Sequence, residues 1–258
     1  MNQNEQLQVK LDLEKRLMRK TNTLFNRINR EFVVGVAVDT GIRATDFQAA
    51  WDAMFSEHYR IAQFRFRDAV QNNSKQDDQH DELLLLAALA AWIAKNAPEA
   101  AAAVSRTTQN NMDRAVQQAR QAFADSGVMS YTARELSLAA AAILGRMFRG
   151  RAAKIATTET QAGAESAKLM TAYSIANRPP MAVVTGRQVP DTDSKKEWID
   201  VGDNAVRSGH RSAQVPTVSI NVPFRVNGES LMYPGDNSRG ATAGNRINCR
   251  CSSYYTFK

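Results

Sequence analysis

The sequence predicts an α+β protein: a predominantly α-helical N-terminal domain, residues 1–150, followed by a small mixed α/β module, residues 151–258. Three observations carry that reading. Apolar residues recur at helical spacing through the first 150 positions. Beyond Pro179-Pro180, Gly, Pro, Asn and Asp break the chain into short extended pieces. Hydrophobic residues make up 43% of 258 and charged ones 23%, an ordinary balance for a chain that folds around a core.

The first helix is predicted over 5–32, where Leu7, Leu11, Leu13, Leu17, Leu24, Phe25, Ile28 and Phe32 form the apolar face. Interleaved Lys and Arg make it basic, a pattern shared by solvated bundle helices and by helices that lie on anionic surfaces. A break is expected at Asp39-Thr40-Gly41. A second helix is predicted from Thr45, a candidate cap, to Asn72, with a core stripe of Phe47, Trp51, Met54, Phe55, Tyr59, Ala62, Phe66 and Ala69. His58 and His80 stand alone and read as ordinary residues. After the polar stretch 71–82 comes Leu83–Lys95, apolar nearly all round, which predicts a buried central helix ended by Pro98. Its longest apolar run, Leu83 to Ala94, is too short to span a bilayer, and no membrane association is expected. Alanine-rich 99–123 and Ser130–Gly150 complete the helical domain, the latter ending in cations that suit a helix C-terminus. One more helix is predicted over 152–176. Strands are expected at Met181–Thr185, Lys196–Ile199 and Val215–Val222.

Chemistry-bearing residues concentrate after 150. Glu159 is a candidate base or metal ligand, or a helix carboxylate bonded to a neighbouring loop. Arg207 and His210 are three apart and share a face on a helical turn. The tail Leu231–Cys251, LMYPGDNSRGATAGNRINCRC, holds both cysteines. Cys249 and Cys251 are too close in sequence for an unstrained disulfide, so two reduced thiols are expected. With His210 they are candidate zinc ligands, the fourth position falling to Asp203, Asp236 or water. The alternative is a pair of small buried thiols beside a histidine that bonds a carbonyl or carboxylate. Neither a phosphate loop, a dinucleotide fingerprint nor a HExxH motif is present.

Four pieces, in this order, carry a family resemblance: Thr158-Glu159-Thr160 in AKIATTETQAGAESAK; Trp198, Arg207 and His210 in KEWIDVGDNAVRSGH; Tyr233-Pro234-Gly235-Asp236; and Asn248-Cys249-Arg250-Cys251. Over roughly 150–255 the chain resembles the phage head morphogenesis family, the Mu F-like minor head proteins of tailed bacteriophages. Two departures stand out: Ala205 replaces a second arginine frequent in the family, and the loop 240–246 lacks its proline and acidic residue. The resemblance implies a minor capsid protein of the virion interior. Such a protein associates with the portal and capsid, assists head assembly, and takes part in DNA packaging or ejection. A net charge of +7 suits contact with packaged DNA. It implies no enzyme activity and requires no cofactor. The competing class is a zinc-dependent nucleic-acid-processing module, or an ADP-ribosyltransferase-like one such as has been suggested for toxin relatives, although no Arg, Ser-Thr-Ser and Glu-x-Glu set is visible.

Overall fold

The structure, a computed structural model, describes residues 3–37, 42–71, 82–190, 193–202, 204, 206–211 and 217–257. It is α+β, as predicted. Five helices come first: α1 (Gln3–Ala37), α2 (Gln48–Gln71), α3 (Glu82–Asp125), α4 (Ala133–Phe148) and α5 (Arg151–Ile175). The short α6 (Met181–Thr185), α7 (Ser208–Arg211) and α8 (Ala243–Arg246) are set among five strands. These are β1 (Lys195–Ile199), β2 (Val218–Ser219), β3 (Phe224–Val226), β4 (Glu229–Leu231) and β5 (Ser252–Thr256). An antiparallel sheet has the order β2-β1-β5, with Lys196 opposite Tyr255 and Trp198 opposite Ser253. The β3-β4 hairpin turns at Asn227-Gly228, both at positive φ, as a two-residue hairpin turn demands.

Contacts gather the chain into two compact units that do not follow its order: 1–15, 56–95 and 154–258 in one, 16–55 and 96–153 in the other. Two earlier segments, 1–15 and 56–95, thus group with 154–258. Partners spread along the helices explain this: side chains of α5 bond Lys10, Glu14, His58 and Tyr59, Thr157 donating to Glu14.

The unit of 16–55 and 96–153 is helical and aromatic at its centre. Phe25 stacks on Phe148 (centroids 4.1 Å apart) and meets Trp51 edge-on at 5.3 Å. Of the predicted stripe, Phe47, Trp51, Met54 and Phe55 are buried in this unit and Tyr59, Ala62 and Phe66 in the other. α4 starts with a capping box, Glu135 N–H donating to Thr132 Oγ1 and Thr132 N–H to the Glu135 carboxylate. Arg151, expected among the cations closing the preceding helix, instead opens α5. Its guanidinium lies 5.2 Å from the Phe25 ring and donates to Thr108 Oγ1 and the Val104 carbonyl. Burial lowers its pKa to about 10.

Several local expectations are corrected. Thr45 does not cap α2; it sits inside a 3-10 turn, Ala44–Phe47, preceded by Arg43, whose N–H donates to Asp46. Pro98 does not end α3. It removes one intrahelical hydrogen bond, but Ala97, Ala101 and Val104 around it are buried, and their packing carries the helix through. Nor is Leu83–Lys95 buried all round. Leu85, Ala88, Leu89 and Trp92 face inward, while Leu83, Leu84 and Leu86 are exposed. By length and apolarity alone α3 meets the requirement for a membrane span, although a third of that window is packed inside the fold. Met181–Thr185 is helix α6: after Pro179-Pro180, the Ala182 and Val183 amides donate to the two proline carbonyls, which closes a helical turn instead of an extended strand. Of Val215–Val222 only Val218–Ser219 pairs as strand among the described residues. Asp39, Thr40, Gly41 and His80 lie outside them.

Candidate metal centre

His210, Cys249 and Cys251 come together. The donor atoms lie within 4.8 Å of one another, and each residue is at most 2% exposed. The elements that bring them there are short. His210 is on α7, whose amides at 210 and 211 close on the Arg207 carbonyl. Cys249 and Cys251 flank the last turn before β5, with Cys249 N–H donating to the Arg246 carbonyl. Between Ile247 and Cys249 the chain reverses at Asn248, φ 58°. Asn is one of the few side chains at ease there. Both thiols are free.

Bonds outside the triad settle which ring nitrogen of His210 carries the proton. Asn245 donates its Nδ2 to Glu229 (2.8 Å) and to the Val226 carbonyl (3.3 Å). Its Oδ1 therefore faces His210 Nε2, at 3.2 Å, and also accepts from Asn227 Nδ2 at 2.8 Å. An amide oxygen only accepts, so Nε2 bears the hydrogen. That leaves the Nδ1 lone pair toward the sulfurs, 3.6 Å from Cys249 and 3.5 Å from Cys251. A tetrahedral ion with bonds of about 2.3 Å to sulfur and 2.0–2.1 Å to nitrogen sets those donors about 3.5 Å apart. The spacing, the soft donor set and the outer partner on the histidine all fit a metal ion. Gly209 is required beside it: a Cβ there would fall 1.6 Å from Asn227 Oδ1.

The two sulfurs also act on each other. A hydrogen bond from Cys251 lowers the pKa of the Cys249 thiol despite its burial. The same bond pushes Cys251 up, and burial adds to it. The pair gives up one proton readily and resists losing the second. Trp198, on β1, closes one side with its ring edge-on to His210 at 5.5 Å and to Phe224 at 5.4 Å.

The other residues singled out in the sequence frame this centre. Arg207 donates through Nη2 to the Ile247 carbonyl, bracing the turn before Cys249. The Asn248 N–H donates to Thr158 Oγ1 on α5. Glu159 lies outside the donor cluster; it accepts from the Tyr59 hydroxyl, and desolvation raises its pKa. His58 bonds Thr160 at 2.9 Å and is buried. Tyr233 accepts from Trp92 Nε1, and burial puts its phenol far above the ordinary range. Asp236 also stands outside the cluster: its two oxygens accept from the Met232 and Ser238 amides, closing the turn at Gly235, φ 89°. Asp203 lies outside the described residues. Among the described residues, the donor cluster contains no carboxylate.

Sequence reading missed a second buried assembly. Glu165 on α5 accepts from Lys10 (2.6 Å), Lys168 (3.0 Å) and Ser252 Oγ on one oxygen, and from the Ser253 amide and hydroxyl on the other. Burial raises its pKa, but the two ammonium groups outweigh it and hold the carboxyl at about 2. Gln161 joins the assemblies: it accepts from Lys10 and donates to the carbonyls of Pro234 and Cys251. The only hint in the sequence is Gln161, Glu165 and Lys168 at spacings of four and three on an otherwise alanine-rich helix.

Compared with known proteins, the chain matches no family model, and no curated protein or solved structure is significantly similar to it.

Proposed function

We propose that this chain is a minor head protein of a tailed bacteriophage, associated with the portal and capsid inside the virion, and that His210, Cys249 and Cys251 hold a structural zinc ion. One observation carries the reading. The four pieces behind the family resemblance, scattered from Thr158 to Cys251, meet around one site. Thr158 bonds Asn248, Arg207 bonds the turn before Cys249, Trp198 packs on His210, and Gln161 ties the Tyr233–Asp236 turn to Cys251.

Zinc fits two thiolates and an imidazole better than any hard cation does. Burial of all three donors favours a structural role, and the fourth position that a four-coordinate site needs falls to Asp203 or water. The ion would staple α7 to the last turn before β5, two elements too short to hold themselves. The net charge of +7 supports a place beside packaged DNA. Nothing in the arrangement around Glu159, bonded to Tyr59, favours an enzyme.

Two measurements test the two halves separately. Co-expression with the portal protein of the same phage should give a complex that survives purification; a chain that stays apart from both portal and virions would refute the head-protein reading. Elemental analysis should find one zinc per chain, lost in Cys249→Ser and Cys251→Ser. Metal-free protein from zinc-supplemented medium would refute the centre and leave the first half standing.

A further inference from the structure

A cavity of about 430 Å³ opens on a different side of the same unit, between the end of α5, the α6 segment and the loops at 221–223 and 238–239. Its volume lies within the range of small-molecule sites. Tyr173 and Met232, both buried, form the floor together with Pro223. Arg187 and Arg239 stand at the rim, with Ser238 beside them, and among the described residues no acidic side chain lines the space. Neither guanidinium makes a side-chain hydrogen bond or ion pair among the described residues. Both arginines line the same hollow. The Arg239 charge also reaches inward, acting on the Tyr173 phenol and on Lys196, whose ammonium is bonded to the Met232 carbonyl behind the floor.

We propose that this cavity binds a nucleoside monophosphate unit, the phosphate held by Arg187 and Arg239 and the base lying on Tyr173, Met232 and Pro223. Two guanidiniums match the two charges of a phosphate monoester and its oxygen geometry. A carboxylate would neutralise only one of them. The apolar floor asks for a flat body attached to the anion, which inorganic phosphate lacks. The site shares no residue with the cysteine–histidine centre, so it stands independently of the zinc and head-protein readings.

Calorimetric titration of the full chain with deoxyadenosine 5′-monophosphate tests it, with inorganic phosphate and N-acetylleucine as comparison ligands. The nucleotide should bind more tightly than either. Arg239→Gln and Arg187→Gln should each weaken it by about ten- to a hundredfold, the loss expected for a hydrogen bond to a charged group. Both side chains are exposed, and near-ultraviolet circular dichroism checks that the fold is kept. No nucleotide binding at millimolar concentration, or binding that both variants leave unchanged, would overturn the proposal. Phosphate alone binding as well as the nucleotide would remove the floor from the site. N-acetylleucine binding as well would make it a receptor for a peptide carboxylate instead.

Discussion

The unit built from 16–55 and 96–153 and the one built around α5 are stabilised by different means. In the first, Phe25, Trp51, Phe55 and Phe148 fill space. In the second, apolar clusters are present, but buried polar groups with named partners run through them: Glu165, Lys168, Lys196, Gln161, His210 and Asn245. Packing of the first kind depends on volume and tolerates substitution by similar shapes. Packing of the second kind depends on identity, because a buried charge or amide that loses its partner cannot turn to water. The difference predicts how each unit responds to a conservative change.

The largest effect should come from Glu165→Ala, which strands two buried ammonium groups and the Ser253 amide. A loss of about 3–5 kcal/mol is expected in urea denaturation. Glu165→Gln, nearly the same shape, should recover little of it; a loss under 1 kcal/mol for either would end the contrast. The carboxyl's folded value of about 2 lies below its ordinary 4.5. Its contribution is therefore complete above pH 4.5 and disappears as pH falls toward 2, a slope that the Gln variant should lack.

In the aromatic unit, Phe25→Ala should cost about 3–5 kcal/mol, but Phe25→Leu only about half as much, since much of the volume returns. Equal costs for both would show that the stacked geometry, not the volume, is what counts.

Lys196 offers a test of intermediate size. It is fully buried, faces Asp236 and Arg239, and its pKa is lowered to about 7, first by desolvation. Below pH 7 the folded chain bears a charge it disfavours. As pH rises from 7 toward 10.5 the folded amine is neutral while the unfolded one is not, so stability climbs by at most about 1.4 kcal/mol per pH unit. Lys196→Met should flatten that climb, and an unchanged slope would assign it to another group.

Smaller effects belong to backbone positions. Asn248→Val should cost about 1–2 kcal/mol and Asn248→Gly almost nothing, because only the left-handed conformation is at stake. Thr132→Ala should cost about 1 kcal/mol by removing the cap of α4. If Asn248→Gly proves as harmful as Val, the asparagine side chain has a task that its backbone angle does not explain.

Legibility in the sequence follows the same divide. The helices and the aromatic stripe were readable because apolar spacing repeats and any residue of the right kind serves. His210, Cys249 and Cys251 were readable as donors because few residue types share that chemistry. Asn245, Asn227 and Gly209 were not: an asparagine in a glycine-rich loop looks like a turn former, and only the fold reveals that Asn245 orients His210. Nothing in the sequence marks Glu165 and Lys168 as buried or separates Lys10 from the other cations of its helix; that comes only with the fold, where Ser253 of β5 bonds Glu165. Met181–Thr185 misled because β-branched residues favour strands, whereas the two prolines before it set up a helical turn.

One consequence of the Glu165 assembly concerns the order in which the molecule is made. Lys10 precedes its carboxylate by 155 residues, and Ser253 follows it by 88. A ribosome releases Lys10 first, Glu165 155 residues later, and Ser253 a further 88 residues on. Until Ser253 is out, α5 carries a buried-to-be carboxylate still in water. The unit therefore cannot close segment by segment behind the ribosome, and its long loops are spanned only after residue 253 has been made. Nascent chains arrested before residue 252 should stay protease-sensitive in α5 even when α4 is already protected.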